Sequence, residues 1–346
     1  CWLFSLFLLM AWKTEAKGPA AGPAFAIDIP SGRSVVRFAV GDVDGDGLKD
    51  IVIVGQNPKK LYILLQKKDH TFAKQLDDAD YDLDLDMMPH PWGVGIGDFD
   101  GDKKDDVVVR GGRGKAAVYI IQSGENPKRM LQSGNNGYEV YAADLNKDGL
   151  DDIISDGDVW FQVKTGQFRM AYFYELDNYA RARVGDFNGD GHNDAAFSSR
   201  NALVRIFWHK TNYGDSKRTV KYQKSYPDVS LGQGKASRDI AMGDFNGDKR
   251  KDIAVATAKE VDVFTQKGAN GFDSGDKPEN VIAGFDMACA VEAADWNSDG
   301  LDDIAIAEGR SWGKVYVFFQ RSHAIGKFAN TRQRADLVLE CGPCPK

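Results

Sequence analysis

The chain has 346 residues, 42% hydrophobic and 27% charged, with a formal net charge of -7; this balance suits a folded globular protein and excludes a disordered one. Four cysteines are too few for a disulfide-built scaffold, so a hydrophobic core must hold the fold. An acidic chain with no known nucleic-acid-binding module excludes nucleic acid as the expected partner.

Residues 2–12 (WLFSLFLLMAW) form an uncharged apolar run, followed by Lys13 and by small residues including Ala16, Ala20 and Ala21. The run falls short of the ~20 residues needed to cross a bilayer and suits the apolar core of a signal peptide. The expectation is a signal peptide over 1–21, clipped at its start because Cys1 follows neither Met nor a basic stretch. A folded domain over 24–340 and a short tail over 341–346 are expected beyond it. The product is then secreted, extracellular or held at the cell surface, with no transmembrane segment in the mature chain.

From residue 42 onward one pattern recurs. It reads DVDGDGLKDI from Asp42, DFDGDKKDDV from Asp98, DLNKDGLDDI from Asp144, DFNGDGHNDA from Asp186, DFNGDKRKDI from Asp244 and DWNSDGLDDI from Asp295. Successive starts lie 56, 46, 42, 58 and 51 residues apart. A short β-rich run precedes each copy and a Val/Ile/Ala run follows it. A third apolar run comes next (KLYILLQ, AAVYIIQ, DVWFQV, LVRIFWH, VDVFTQ, KVYVFFQ), then a more variable fourth. No stretch sustains a 3.6-residue period. The predicted fold is therefore all-β, a β-propeller of six four-stranded blades with seven as the alternative. The strands near residue 27 (AFAIDIP) and residue 337 (ADLVLE) are expected to help close the ring.

Within each copy a side-chain oxygen recurs at positions 1, 3, 5 and 9. These are Asp42, Asp44, Asp46 and Asp50; Asp98, Asp100, Asp102 and Asp106; Asp144, Asn146, Asp148 and Asp152; Asp186, Asn188, Asp190 and Asp194; Asp244, Asn246, Asp248 and Asp252; and Asp295, Asn297, Asp299 and Asp303. Alternate residues of a tight turn can aim oxygens at one centre, and hard oxygen donors without His or Cys suit Ca2+. Position 7 varies freely (Leu48, Lys104, Leu150, His192, Arg250, Leu301), as expected of a ligand supplied by the backbone carbonyl, which leaves the His192 ring free. An EF-hand is excluded because position 12 is never Glu. A turn made only for its shape would not gather three or four carboxylates six times over, since such charge costs stability until a cation neutralises it. Up to six calcium ions are expected, one per repeat. Lys103 and Lys249 at position 6, and Lys147 at position 4, stand where the pattern favours Gly. Those three sites are the less regular ones.

DxDGDGxxD between short strands, repeated six times, resembles the FG-GAP/VCBS repeats of integrin α-subunit heads and related extracellular propellers, over about residues 34–320. The FG and GAP signatures survive only in fragments such as Val40-Gly41 and Ile96-Gly97. The resemblance implies a ring of blades with calcium loops on one face, and adhesion, carbohydrate binding or complex assembly as the role.

Two insertions are candidates for recognition. Residues 76–92 are rich in Asp and include Trp92; residues 209–226 are basic and aromatic and include Tyr213, Arg218 and Tyr222. Trp92, Tyr213, Arg218 and Tyr222 are the candidate ligand-binding residues, weighed against solvated outer strands and blade connections. Catalysis has few candidates. GRSWG at 309–313 matches a nucleophile elbow, but Ser311 falls between two predicted strands and not before a helix. His209, Tyr213 and Arg218 are the one set suited to a lyase. CGPC at 341–344 has the spacing of a redox motif without a βαβ unit around it. The reading is a non-catalytic, calcium-binding module for an extracellular glycan or protein. A polysaccharide-degrading enzyme on the same scaffold is the first alternative and a structural component of an extracellular assembly the second.

Overall fold

The computed structural model describes residues 34–343 except 70, 74, 87, 89, 113–116, 122–127, 133–138, 156–157, 173–180, 199–201, 209–228, 233, 269–270, 274, 296–298, 309–311 and 321–327. The expected signal peptide and the AFAIDIP strand lie outside the described residues, as do Tyr213, Arg218 and Tyr222. No helix of the described residues is long and apolar enough to cross a membrane.

The described chain is six four-stranded antiparallel sheets, each built from four strands in sequence order. They occupy residues 34–84, 91–132, 141–172, 182–231, 239–283 and 288–343, and they are the blades of a β-propeller. The second strand of each blade reads as an unbroken apolar run because both of its faces pack on neighbours. Among these, β6 (Asp106–Gly111) and β18 (Asp252–Ala256) are buried along their whole length, the pattern of strands covered on both sides. Five shared cores join blade to blade, from the cluster of Val52, Val54, Val107 and Val109 between blades one and two to that of Ala254, Val263, Ile304 and Ile306 between five and six. Burial of this kind is worth about 25 cal/mol per Å2 of apolar surface, and no blade obtains it alone.

The first strands run side by side at the hub, where β1 (Ser34–Gly41) meets β5 (Pro91–Gly97) and β17 (Asp239–Gly243) meets β21 (Ala288–Ala294). Their charged side chains pair across the centre. Arg37 Nε donates to Glu139 at 3.1 Å, from blade one to the edge of blade three. Arg181 Nη1 lies 2.7 Å from Asp239, and Arg183 Nη2 lies 3.2 Å from Glu292 of blade six.

The fourth strand of blade six, β24 (Leu337–Pro343), runs into the CGPC segment, so Cys341 belongs to a strand and not to a tail. This strand completes its own blade. Of the GRSWG segment, Trp312 and Gly313 open β23 (Trp312–Phe318), the antiparallel partner of β22 (Asp303–Glu308), while Gly309, Arg310 and Ser311 lie outside the described residues.

Candidate metal centres

Each Asp-rich segment is the connection between the first and second strands of its blade. The residue before position 1 pairs with position 9 in every copy: Gly41 with Asp50, Gly97 with Asp106, Ala143 with Asp152, Gly185 with Asp194, Gly243 with Asp252 and Ala294 with Asp303. The hairpin register therefore closes each loop at the same two residues.

Inside the loop, side-chain oxygens hold the backbone. In copy one, Asp42 Oδ1 accepts from Gly45 N at 2.8 Å and Oδ2 from Gly47 N at 2.9 Å. Asp44 Oδ1 accepts from Asp46 N at 3.0 Å, and Asp46 Oδ1 from Leu48 N at 2.8 Å. Copy four repeats this with Asp186, Asn188 and Asp190, at 2.6 to 2.9 Å. Copy six keeps the bonds from Asp299 and Gly300 to Asp295 and from Leu301 to Asp299; Asn297 lies outside the described residues.

Positions 4 and 6 turn left-handed, and the three exceptional lysines do so as well, with φ of 69° at Lys103, 56° at Lys147 and 66° at Lys249. Lys103 N and Lys249 N still donate to the position 1 carboxylates of Asp98 and Asp244, at 3.0 and 2.7 Å. The loops expected to be irregular thus keep the common backbone, at a strain of about 1–3 kcal/mol per lysine.

Position 9 is a buried strut. Asp50, Asp106, Asp152, Asp194, Asp252 and Asp303 are all fully buried. In copies one to five the Oδ2 atom accepts from the position 2 amide at 2.8 to 3.0 Å. The Oδ1 atoms of Asp50, Asp152, Asp252 and Asp303 accept from Gln66, Gln162, Gln266 and Gln320 at the end of the third strand. Burial raises three of these carboxyls: Asp50 lies above its ordinary value, Asp152 is pushed up to about 8 and Asp252 to about 7, against the two amide bonds that favour the ionised form. Position 2 points the other way. Val43, Phe99, Leu145, Phe187 and Phe245 insert into the five shared cores.

The donor set fits a hard divalent ion. Oxygens of Asp42, Asp44 and Asp50 lie within 4.8 Å of one another, and so do those of Asp98, Asp100 and Asp106. Ligands at 2.3–2.6 Å from one Ca2+ stand up to roughly 5 Å apart. Copies three to five place Asn146, Asn188 and Asn246 at position 3, where an amide oxygen can serve the same purpose. The convergent triads join positions 1, 3 and 9. Position 5 instead holds the position 7 amide. At position 7 the His192 ring stays exposed to solvent, with its Nδ1 3.3 Å from Asp190 Oδ1.

A contact absent from the sequence reading ties loop to loop. The position 8 side chain crosses to position 1 of the preceding copy: Asp105 to Asp42 N at 2.7 Å, Asp151 to Asp98 N at 3.0 Å and Asp302 to Asp244 N at 2.7 Å. Asn193 donates to Asp144 O at 2.7 Å. A Cβ on Gly41 would stand 2.6 Å from the Asp105 carboxylate, so Gly at this place makes room for the strut.

Of the candidate recognition residues, Trp92 is in β5 and packs, half-buried, against the core shared by blades one and two. The surrounding insertion contributes the outer strand β4 (Tyr81–Asp84) and the buried Leu85 and Met88.

A family model described as FG-GAP-like repeat matches residues 42–109, 98–155, 186–255 and 244–306. The chain belongs to this family. It is also 24% identical to integrin alpha-8 of Gallus gallus over 238 residues, 58% of this chain and 20% of the integrin. It thus spans a fifth of that relative's length. Among solved structures, the exotype rhamnogalacturonan lyase YesX superposes with a TM-score of 0.51 at 12% identity, covering 90% of this chain and 65% of the lyase. BBS1N, solved in complex with ARL6DN, superposes with a TM-score of 0.50 at 11% identity, covering 81% of this chain and 78% of that one. These two likenesses concern the fold.

Proposed function

We propose that this FG-GAP-repeat chain is an extracellular, calcium-stabilised propeller that recognises a glycan or a protein partner. The convergence of positions 1, 3 and 9 on one centre carries the calcium part, because such carboxylates repel unless a cation lies among them. The side chains of these residues and of position 5, with the carbonyls of position 7, would hold the ions. When bound, calcium supplies charge neutralisation and a rigid loop. The integrin relative supports the extracellular setting and a binding role.

Polysaccharide cleavage is the second reading. A lyase needs a group able to take a proton near neutral pH beside an acidic sugar, and the set suited to that, His209, Tyr213 and Arg218, lies outside the described residues. The test is a glycan array and a partner capture from extracellular extract, each with calcium and with EDTA, alongside an absorbance assay for unsaturated uronates. Calcium-dependent, saturable retention of defined ligands is expected. Sustained uronate product release would replace this reading with the enzymatic one.

A further inference from the structure

We infer that the seam between blades four and five is a binding cleft for an acidic sugar. This deepens the recognition reading above and rests on it.

The cleft has a volume of about 470 Å3 and opens beside loops four and five, a size suited to a small ligand. Its rim carries three consecutive cations, Lys249, Arg250 and Lys251. Arg250 leans on Asp248 at 3.3 Å, while the exposed ammonium groups of Lys249 and Lys251 meet no carboxylate among the described residues. The Asp186 carboxylate at the other rim is turned into its own loop, where both oxygens accept amide bonds. The interior holds Gln266, 3% exposed, whose Oε1 and Nε2 have no hydrogen-bond partner among the described residues. Val184 and Met242 supply apolar surface beside it.

Gln162 and Gln320 are buried in the same way in blades three and six, but there Asp151 and Asp302 span the seam. In the cleft the corresponding residue is Lys251, which reverses the charge. A buried polar side chain without a partner costs stability. A side-by-side donor and acceptor match a sugar hydroxyl, which both gives and takes a hydrogen bond; a bare phosphate or sulfate would use only the donor. The lysines then meet the carboxylate of a uronate, and the apolar surface meets a ring face.

The experiment is titration calorimetry of the whole chain with trigalacturonate, neutral galactotriose and inorganic sulfate, with calcium saturating on both sides. The variants are Lys251→Glu, Gln266→Met and, as a charge control at the far turn of blade five, Lys259→Glu. Trigalacturonate is expected to bind more tightly than galactotriose. Lys251→Glu should weaken it about tenfold or more, the effect of losing a charge-assisted hydrogen bond, and Lys259→Glu should leave it unchanged. Gln266→Met should weaken it too; if that variant misfolds, the exposed Lys251→Glu decides. Equal binding of the two sugars, sulfate binding as tight as the uronate, or no trigalacturonate binding overturns the inference. Trigalacturonate binding unaffected by Lys251→Glu removes the cleft and leaves the recognition reading standing, whereas an array and capture without any ligand removes that reading itself.

Discussion

Asp105 and Asp42 form a reciprocal pair across the first seam: Asp105 Oδ2 accepts from Asp42 N at 2.7 Å, and Asp105 N donates to Asp42 O at 2.9 Å. The side chain of one loop thereby fixes the backbone that carries the first ligand of the loop before it. Ion binding and blade packing become one problem. Asp105→Ala leaves the Asp42 amide without its acceptor and should cost about 1–3 kcal/mol. Denaturant unfolding in excess calcium measures this; an unchanged midpoint would remove the strut from the account.

The left-handed lysines give a prediction of opposite sign. Gly adopts φ of 69° without a Cβ penalty, and the Lys103 side chain has no role in the loop's own bonding. Lys103→Gly should therefore raise stability by about 1 kcal/mol. Destabilisation in the same unfolding experiment would contradict the claim that copy two keeps the common loop under strain.

Position 2 anchors each loop in a seam. Phe245 is fully buried and stands edge-on to Phe328, ring centroids 5.8 Å apart. Phe245→Ala should lose about 3–5 kcal/mol. It should also weaken calcium binding, because the loop loses its footing. A loss of stability with every calcium site intact, read by calcium titration, would separate the two roles that the geometry joins.

Acidity gives a further test on calcium-free protein. The Asp152 carboxyl is pushed up to about 8 and the Asp252 carboxyl to about 7, chiefly by burial. The unfolded chain gives up these protons near the ordinary value, so between about pH 4 and pH 8 the folded state holds protons that the unfolded state lacks. Stability from these groups then falls as pH rises. Scanning calorimetry in chelator should show a melting midpoint that declines from about pH 5 to pH 8, with the decline reduced by calcium, which favours the ionised form. A midpoint that climbs through this window in chelator would contradict the burial of position 9.

The six loops, their order and the strands around them were legible because donor types and spacing repeat. Position 8 was not. Its residues are Lys49, Asp105, Asp151, Asn193, Lys251 and Asp302, which look arbitrary along the chain and acquire meaning only where two blades meet. Position 9 was read simply as a ligand, although it also pins two backbone amides from below. The apolar residue at position 2 stood in every copy, but its reach into the next seam depends on blade packing. Lys103, Lys147 and Lys249 suggested weaker loops on local preference, and the carboxylate bonds to the loop amides override that preference. Trp92 stood among the candidate ligand-binding residues because it ends the Asp-rich insertion, and its half-buried packing on the core of blades one and two was not legible because it follows from strand pairing.

The central claim is that each loop holds a divalent ion, and native mass spectrometry of the folded chain tests it most directly. After exchange into calcium, the account predicts bound ions approaching one per loop, lost together with much of the thermal stability when EDTA is added. Folded protein that carries no metal, and melts at the same temperature with and without EDTA, would contradict it.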